Sequence, residues 1–436
     1  MLLEHLARQL GETRRVCVAF SGGLDSTVLL HALTRLRASA LFDLQLRAMH
    51  VNHGLSQFAL RWTAGCEAQC QQWQVDFLPL FVKVDAREGG IEAAARAARY
   101  QALTANLLPG ETLLTAQHLN DQCETFMLAL KRGSGPAGLS SMSVTATLGA
   151  HPLLRPLLTL SRQQLEDYAR EHQLSWVDDD SNQDARFDRN FLRLDVLPAL
   201  YQRWPHFAAA TARSAALCAE QESLLDELLQ EALDQLIDAQ NSLSIDGLIP
   251  LSSARRFALI RRWLALCGAK MPSREQLQKL WYEVALSRED ADPQLQLGAF
   301  SVRRFRQRLY WLPLMLSLKE KIIHWPGAEP LTLPDGLGSL SFDPDPQHGQ
   351  ALRKPRADET VSVRFYASGS VQKVGRDRSR PMKKLWQELA IPPWQRERIP
   401  LIFYNETLIA VAGLFITHDA LTTDPQEVVW SLHWQQ

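Results

Sequence analysis

The alternation of short apolar runs with helix-length segments, from residue 15 to about residue 190, is the strongest constraint on this chain. Val16–Phe20 is followed by a helical pattern over Thr27–Leu36. Leu44–Val51 precedes a helical stretch at Phe58–Trp73, and Val75–Val82 precedes the Ala- and Arg-rich Ile91–Leu108. Thr112–Ala116 then leads into Asp121–Lys131. Strands that alternate with helices of this length build βαβ units and a parallel sheet. Ligands on such sheets sit at the C-terminal ends of strands, so the loops starting at Ser21, His50 and Gln117 are expected on one rim.

The first of those loops is Ser21-Gly22-Gly23-Leu24-Asp25-Ser26, directly after a strand and directly before a helix. Two glycines let the main chain approach a ligand and adopt unusual dihedrals. Main-chain N–H groups backed by a helix N-terminus make a nest for phosphate. Ser21 and Ser26 add hydroxyls. Asp25 is a poor phosphate contact but a good Mg²⁺ ligand beside phosphates. The lysine of the common G-x-x-x-x-G-K-[ST] loop is missing. The loop instead resembles that of the N-type ATP pyrophosphatases, the PP-loop superfamily. The bland alternative is a Ser/Gly-rich turn.

Further segments narrow the resemblance. His50-Val51-Asn52-His53-Gly54-Leu55 follows the second strand, and Gly90-Ile91-Glu92-Ala93-Ala94-Ala95-Arg96 leads to Arg99-Tyr100. His118-Leu119-Asn120-Asp121-Gln122-Cys123-Glu124-Thr125 follows the fourth strand. Then come Arg132-Gly133, Arg155-Pro156-Leu157-Leu158, Asp180-Ser181-Asn182 and Arg189-Asn190. With the SGGLDS loop, this run resembles the tRNA(Ile)-lysidine synthetase family over about the first 200 residues, and more loosely over 371–413. One departure stands out: the family's first histidine before L-x-D-Q is Gln117 here, while His118 is in place.

The resemblance implies an ATP-dependent ligase. ATP would adenylate the C2 oxygen of the wobble cytidine in an isoleucine tRNA with a CAU anticodon. The ε-amine of free L-lysine would then attack C2 and displace AMP, giving lysidine. It implies ATP and Mg²⁺ as cofactors, with Ser21, Gly22, Gly23, Leu24, Asp25, Ser26, His50, Asn52 and His53 at the nucleotide and Asp25 on the metal. Asp25, Asp121 and Arg96 are the expected catalytic residues. Glu92, Arg99, His118, Asp121 and Arg189 are expected at lysine or tRNA.

The chemistry suits those residue types. Lysine's amine, with an ordinary pKa near about 10.4, must lose a proton before it attacks. A carboxylate can hold it first and accept a proton later, which favours Asp121, with Glu92 second. Arg96 and Arg99 lie three apart on a helix. They either neutralise charge on the adenylate, hold the RNA backbone, or form a solvated helix face. His50 and His53 are binding residues or strand-end histidines with satisfied partners. Asp180, Ser181 and Asn182 fit an Asx turn or a helix cap as well as a site. Cys66 and Cys70, four apart on a helix, read as packing residues.

The rest of the chain is organised differently. Lys131–Ala150 is rich in Gly, Ser and Thr and reads as a surface loop. Ser161 with Gln164, and Ser273 with Gln276, are capping-box signals. Trp204–Ala239 carries helical apolar spacing and is a candidate connector. Residues 245–315 look like a small helical unit ending in strands, and from Ile322 on a β-rich domain is expected. The expected division is 1–215 for ATP binding and catalysis, 216–320 helical and tRNA-contacting, and 321–436 β-rich, basic and tRNA-binding. The fold class is thus α/β, an adenine nucleotide α-hydrolase-like domain followed by helical and β-rich domains.

Charge bears on where RNA would lie. Lys plus Arg is 47 against 48 for Asp plus Glu, so any basic surface must be local. Between Arg353 and Arg398 there are twelve Lys or Arg against five Asp or Glu, a local excess of seven. Its centre is Lys373, Arg376, Arg378, Arg380, Lys383 and Lys384, with Trp386 and Trp394 nearby, a mixture suited to RNA backbone and bases. Arg303, Arg304, Arg306 and Arg308 form a second group on an expected strand pair. The first group is read as RNA-binding, with solvated charge as its alternative; for the second the two readings stand even.

The six cysteines form no C-x-x-C pair, and no apolar stretch of membrane-spanning length occurs. A cytoplasmic protein with free thiols and no membrane partner is expected; a homodimer is left open. The missing C-x-x-C counts against tRNA thiolation. Leu2 in place of an N-terminal cysteine counts against glutamine-dependent amidation. A non-catalytic tRNA-binding protein with a relic loop is the remaining alternative, against which Asp25, Ser26 and Asp121 stand.

Overall fold

Two units make up the chain, Met1–Leu228 and Leu229–Gln436. The computed structural model describes residues 1–39, 42–54, 56–84, 91–177, 184–288, 291–343, 349–422 and 429–436, without the side chains of residues 91 and 92.

The first unit is built on a six-stranded sheet. Its strands are β1 (Arg15–Ala19), β2 (Gln45–Asn52), β3 (Asp76–Phe81), β4 (Thr112–Leu114), β5 (Thr145–Leu148) and β6 (His151–Leu154), in the order β3-β2-β1-β4-β6-β5. All neighbours run parallel except β5, which is antiparallel to β6. Val16, Cys17 and Val18 of central β1 are all buried. An unbroken apolar run is what a strand covered on both faces requires. The helices are α1 (Leu2–Leu10), α2 (Leu24–Ala38), α3 (Ala59–Gln72), α4 (Ile91–Asn106), α5 (Leu119–Lys131), α6 (Pro136–Leu139) and α7 (Arg162–Glu171). The parallel-sheet expectation holds. Cys66 and Cys70 pack in the core as expected.

The region read as a surface loop departs from expectation. Lys131–Ala150 contains α6 and the edge strand β5. The signal was hidden because an edge strand with one open face needs little apolar side chain: Thr145 and Thr147 are exposed and only Ala146 and Leu148 turn inward. The capping boxes at Ser161 and Ser273 are both present.

After α7 come α8 (Asp188–Phe191), a π-helical turn at Leu192–Val196 and α9 (Leu197–Arg203). The boundary between the units falls within the 30-residue α10 (Phe207–Leu236).

In the second unit a four-stranded antiparallel sheet spans Leu243–Ser244, Gln294–Leu297, Phe300–Phe305 and Arg308–Pro313. Its core includes fully buried Trp263 from the helix Ser253–Leu266. The C-terminal part holds antiparallel sheets of five and four strands around Val363, Phe365, Ile402 and Tyr404, so the β-rich expectation holds. Buried Arg353 pairs there with Glu359 at 2.6 Å and holds its carboxyl down at about 2.

Candidate functional site

The loop after β1 is shaped by contacts on its hidden side. Gly22 has φ +81°, and a Cβ there would meet the Cys66 Sγ at 2.7 Å, so only glycine fits. The Gly22 carbonyl accepts from the Val177 N–H at 2.9 Å and the Thr27 hydroxyl at 3.3 Å. Gly23 is extended and caps α2. The helix starts at Leu24, earlier than the sequence spacing indicates, so Leu24, Asp25 and Ser26 form its first turn, where N–H groups lack intrahelical acceptors. The side chain of Leu24 points into the core, leaving its main-chain N–H as what it offers a nucleotide. The hydroxyls of Ser21 and Ser26 lie 3.0 Å apart, and Ser26 donates to the Gly23 carbonyl.

A cavity of about 690 Å³ opens at the C-terminal ends of β1, β2 and β4. It is lined by Ser21, Gly23, Asp25 and Ser26 on one side and by Arg96, Arg99, Arg189 and Arg193 elsewhere on its wall. Strand ends and a helix N-terminus thus converge as expected for this sheet class. Asn52 also lines the cavity, but its amide is committed to the Thr63 hydroxyl and the Gly54 N–H, which shapes the turn. Buried His50 holds the Phe20 carbonyl through Nδ1 at 2.9 Å, and burial lowers its pKa. Burial, then Arg99, lowers His53 as well. Both histidines are therefore held toward neutrality, which suits contact over proton donation.

The chemical centre forms where α2 and α5 begin. His118 is fully buried and caps α5, its Nδ1 accepting the Asn120 N–H at 3.2 Å. An acceptor Nδ1 places the proton of neutral imidazole on Nε2. Nε2 lies 3.6 Å from Asp25 Oδ1 and 3.4 Å from Asp121 Oδ2. Asp25 Oδ1 is itself buried without a hydrogen bond. Burial, opposed by His118, pushes the Asp25 carboxyl upward. An orphaned, partly desolvated carboxylate oxygen beside a phosphate nest fits a divalent cation. Among the described residues no group of three or more His, Cys, Asp or Glu is placed to hold a metal alone, so phosphate and water would complete the shell.

Asp121 is a cap residue rather than a strand-tip residue, accepting the His118 N–H at 3.1 Å. Its other oxygen takes Arg193 Nη2 at 3.0 Å. Arg193 also grips Glu124, at 2.7 and 2.9 Å. Glu124 is 1% exposed, and burial pushes its carboxyl upward. Arg189 lies 3.5 Å from Glu124 and donates to the Thr125 hydroxyl at 2.9 Å.

Sequence reasoning passed over Arg193 and gave Glu124 no role. The signal existed: Asp121 and Glu124 are three apart on one helix face, and Arg189 and Arg193 are four apart. Arg96 is exposed and Arg99 half-buried, flanking the Tyr100 ring at 5.1 and 5.5 Å. Neither shows a carboxylate partner among the described residues. Gln117 lines the cavity and accepts from the Thr115 hydroxyl through its side-chain oxygen. Its amide N–H₂ remains as a neutral donor where the resembling family carries histidine. The Glu92 side chain and Asp180, Ser181 and Asn182 lie outside the described residues.

The second unit corrects two expectations. Trp386 and Trp394 are each 7% exposed and pack inside, so they offer no free ring face beside the basic cluster. Three of the four arginines at 303–308 are tied internally: Arg303 to Asp292, Arg304 to Ser287 and Gln307, Arg308 to Asp238 and Ser242. In the main cluster Arg376 and Arg380 share Glu388, at 2.8 and 2.7 Å. Lys373, Arg378, Lys383 and Lys384 show no carboxylate partner among the described residues. Lys373 sits 5.4 Å from the Phe415 ring.

A parallel sheet with a phosphate nest and a cation-binding carboxylate at its rim defines an ATP-using protein of the PP-loop class. Residues 2–200 match the family model described as the PP-loop domain. Residues 243–310 match the TilS substrate binding domain and 361–434 the TilS substrate C-terminal domain. The chain is similar to the tRNA(Ile)-lysidine synthase of Serratia proteamaculans (strain 568), 62% identical over 100% of this chain and 99% of that protein. The corresponding figures are 56%, 99% and 98% for that of Edwardsiella ictaluri (strain 93-146). For that of Pectobacterium atrosepticum they are 57%, 100% and 98%. The chain belongs to the tRNA(Ile)-lysidine synthase family.

Proposed function

We propose that the chain joins free L-lysine to C2 of the wobble cytidine of a CAU-anticodon isoleucine tRNA, with ATP converted to AMP and pyrophosphate. The observation that carries the reading is one cavity lined by the phosphate loop, Asp25, Asp121 and four arginines, with His118 buried behind the two carboxylates.

In the first step the C2 oxygen attacks the α-phosphorus and the bond to pyrophosphate breaks. The main-chain N–H groups of the loop and the Ser21 and Ser26 hydroxyls hold the departing pyrophosphate. Mg²⁺ would be held by Asp25 and supplies charge neutralisation on the phosphates. His118 Nε2, buried without a hydrogen bond, faces both carboxylates at 3.6 and 3.4 Å and would steady their spacing. Arg96 and Arg99, without a carboxylate partner among the described residues, would face the adenylate or the RNA backbone.

In the second step the lysine ε-amine attacks C2, the C2–O bond to AMP breaks, and the amine loses a proton. Asp121, which lines the cavity, would hold the lysine amine, with Arg193 balancing its charge; Glu124, buried behind it, fixes Arg193 and Arg189, which remain available to a carboxylate. With Asp25 given to the metal, Asp121 would accept the proton. Only an unstacked base can enter such a cavity. CAU also occurs in methionine tRNA, so discrimination falls to contacts beyond the reacting base. The 216–320 and 321–436 regions would supply them, with Lys373, Arg376, Arg378, Lys383 and Lys384 on the RNA backbone. A cytoplasmic location fits the free thiols; among the described residues no helix is long and apolar enough to cross a membrane. No cysteine lines the cavity, and burial pushes the Cys66 thiol up to about 12, which disfavours thiolation chemistry.

The test is pyrophosphate release from ATP with each RNA in turn. Release is expected only when CAU isoleucine tRNA is present. Equal release with no RNA would contradict the reading.

A further inference from the structure

A second cavity, of about 800 Å³, lies within the second unit, between the Gln294–Phe305 hairpin and the helices Met382–Glu388 and Pro393–Arg396. Four cations line it: Arg303, Lys383, Arg396 and Arg398. Two are spent. Arg303 pairs with Asp292, and Arg398 pairs with Asp335 at 2.6 Å. The nearby carboxylate Glu397 is engaged by the Ser317 hydroxyl at 2.6 Å.

Two cations remain. Arg396 is half-buried, and its Nε donates to the Ile391 carbonyl at 3.1 Å. No ion pair is formed by it among the described residues, and burial pulls its guanidinium below the ordinary value. Lys383 is exposed and has no carboxylate partner among the described residues. A half-buried guanidinium over an open cavity is costly unless an anion arrives. At the same cavity Tyr366 keeps 47% of its surface open, with Lys319 Nζ 4.5 Å from its ring. It stacks on no other ring among the described residues. Base stacking on an aromatic face next to cations that track phosphate is how single-stranded nucleic acid is held.

We propose that this cavity takes one unstacked nucleotide of the bound RNA, its base against Tyr366 and its phosphate between Arg396 and Lys383. The shared chemistry is a nucleoside phosphate, which a free mononucleotide also offers. The proposal rests on the RNA-substrate reading above and adds a second base-holding site, remote in sequence from the catalytic one.

The test uses the full chain with Tyr366→Ala, Tyr366→Phe and Arg396→Gln, each checked by thermal melting against the unsubstituted protein. Direct binding of CAU isoleucine tRNA is measured at two salt concentrations, and binding of CMP in parallel. Tyr366→Ala is expected to weaken tRNA binding about tenfold, within the range for one lost base–aromatic stack. Tyr366→Phe should keep the affinity. Arg396→Gln should weaken binding and flatten its salt dependence. KM for ATP and for lysine should not move. Unchanged tRNA affinity in both Tyr366→Ala and Arg396→Gln overturns the proposal. So does loss of CMP binding with tRNA affinity intact, which would assign the cavity to a free nucleotide. If the unsubstituted protein fails to bind tRNA, the RNA-substrate reading fails instead. Should Arg396→Gln melt early, the contrast between Tyr366→Ala and Tyr366→Phe decides.

Discussion

Asp25→Asn is expected to lower kcat/KM for AMP transfer by about 10³-fold, or about 4 kcal/mol of transition-state stabilisation. Asp25 sits in the first turn of α2 beside the phosphate nest, and its Oδ1 is buried without a hydrogen bond. An amide there keeps the shape, so the loop should stay folded. What is lost is the charge that would hold Mg²⁺ against the phosphates. The signature is specific. Binding of ATP without Mg²⁺ should be unchanged or tighter, because a negative charge has left the phosphate site. The gain in affinity that Mg²⁺ brings should disappear. Titrating ATP with and without Mg²⁺ against both proteins reads this directly, and an unchanged Mg²⁺ effect in Asp25→Asn would remove Asp25 from the metal.

Arg193→Met is expected to cost about 3 kcal/mol of stability. Breaking a buried pair from one side typically costs about 3–5 kcal/mol, because the partner charge is left uncompensated. The low end applies here, since Arg193 is 29% exposed and Arg189 stays 3.5 Å from Glu124. Removing both charges as Arg193→Met with Glu124→Leu should restore most of the loss, because apolar replacements of similar volume are often neutral. Lysine use should not recover in the double variant, as Asp121 has then lost the Arg193 that holds it. Urea unfolding of the single and double variants checks the stability claim. A double variant destabilised by the sum of Arg193→Met and Glu124→Leu measured alone would show that the pair does not couple.

The site was legible where chemistry is carried by contiguous sequence. Ser21 to Ser26 announces itself because a phosphate nest needs adjacent glycines between a strand and a helix. His118 and Asp121 were marked by their place after the fourth strand. Arg193 was not, since its partner Glu124 lies 69 residues away and only folding brings them together. The aromatic residues near the basic cluster misled for the opposite reason. Trp386 and Trp394 lie close to Lys383 and Lys384 in sequence, yet the helix Met382–Glu388 turns Trp386 inward and the lysines outward, and Trp394 is buried on the next helix. The hairpin at 145–154 was hidden because an edge strand can be built largely from Thr and Ala.

The central claim is a lysine transfer, so the decisive measurement follows the lysine. Purified protein is incubated with ATP, Mg²⁺, radiolabelled lysine and unmodified isoleucine tRNA bearing CAU, with methionine tRNA as the parallel substrate. The account predicts label in the isoleucine tRNA alone, with AMP and pyrophosphate formed in step with it. Pyrophosphate release without lysine in the RNA, or equal labelling of methionine tRNA, would contradict it.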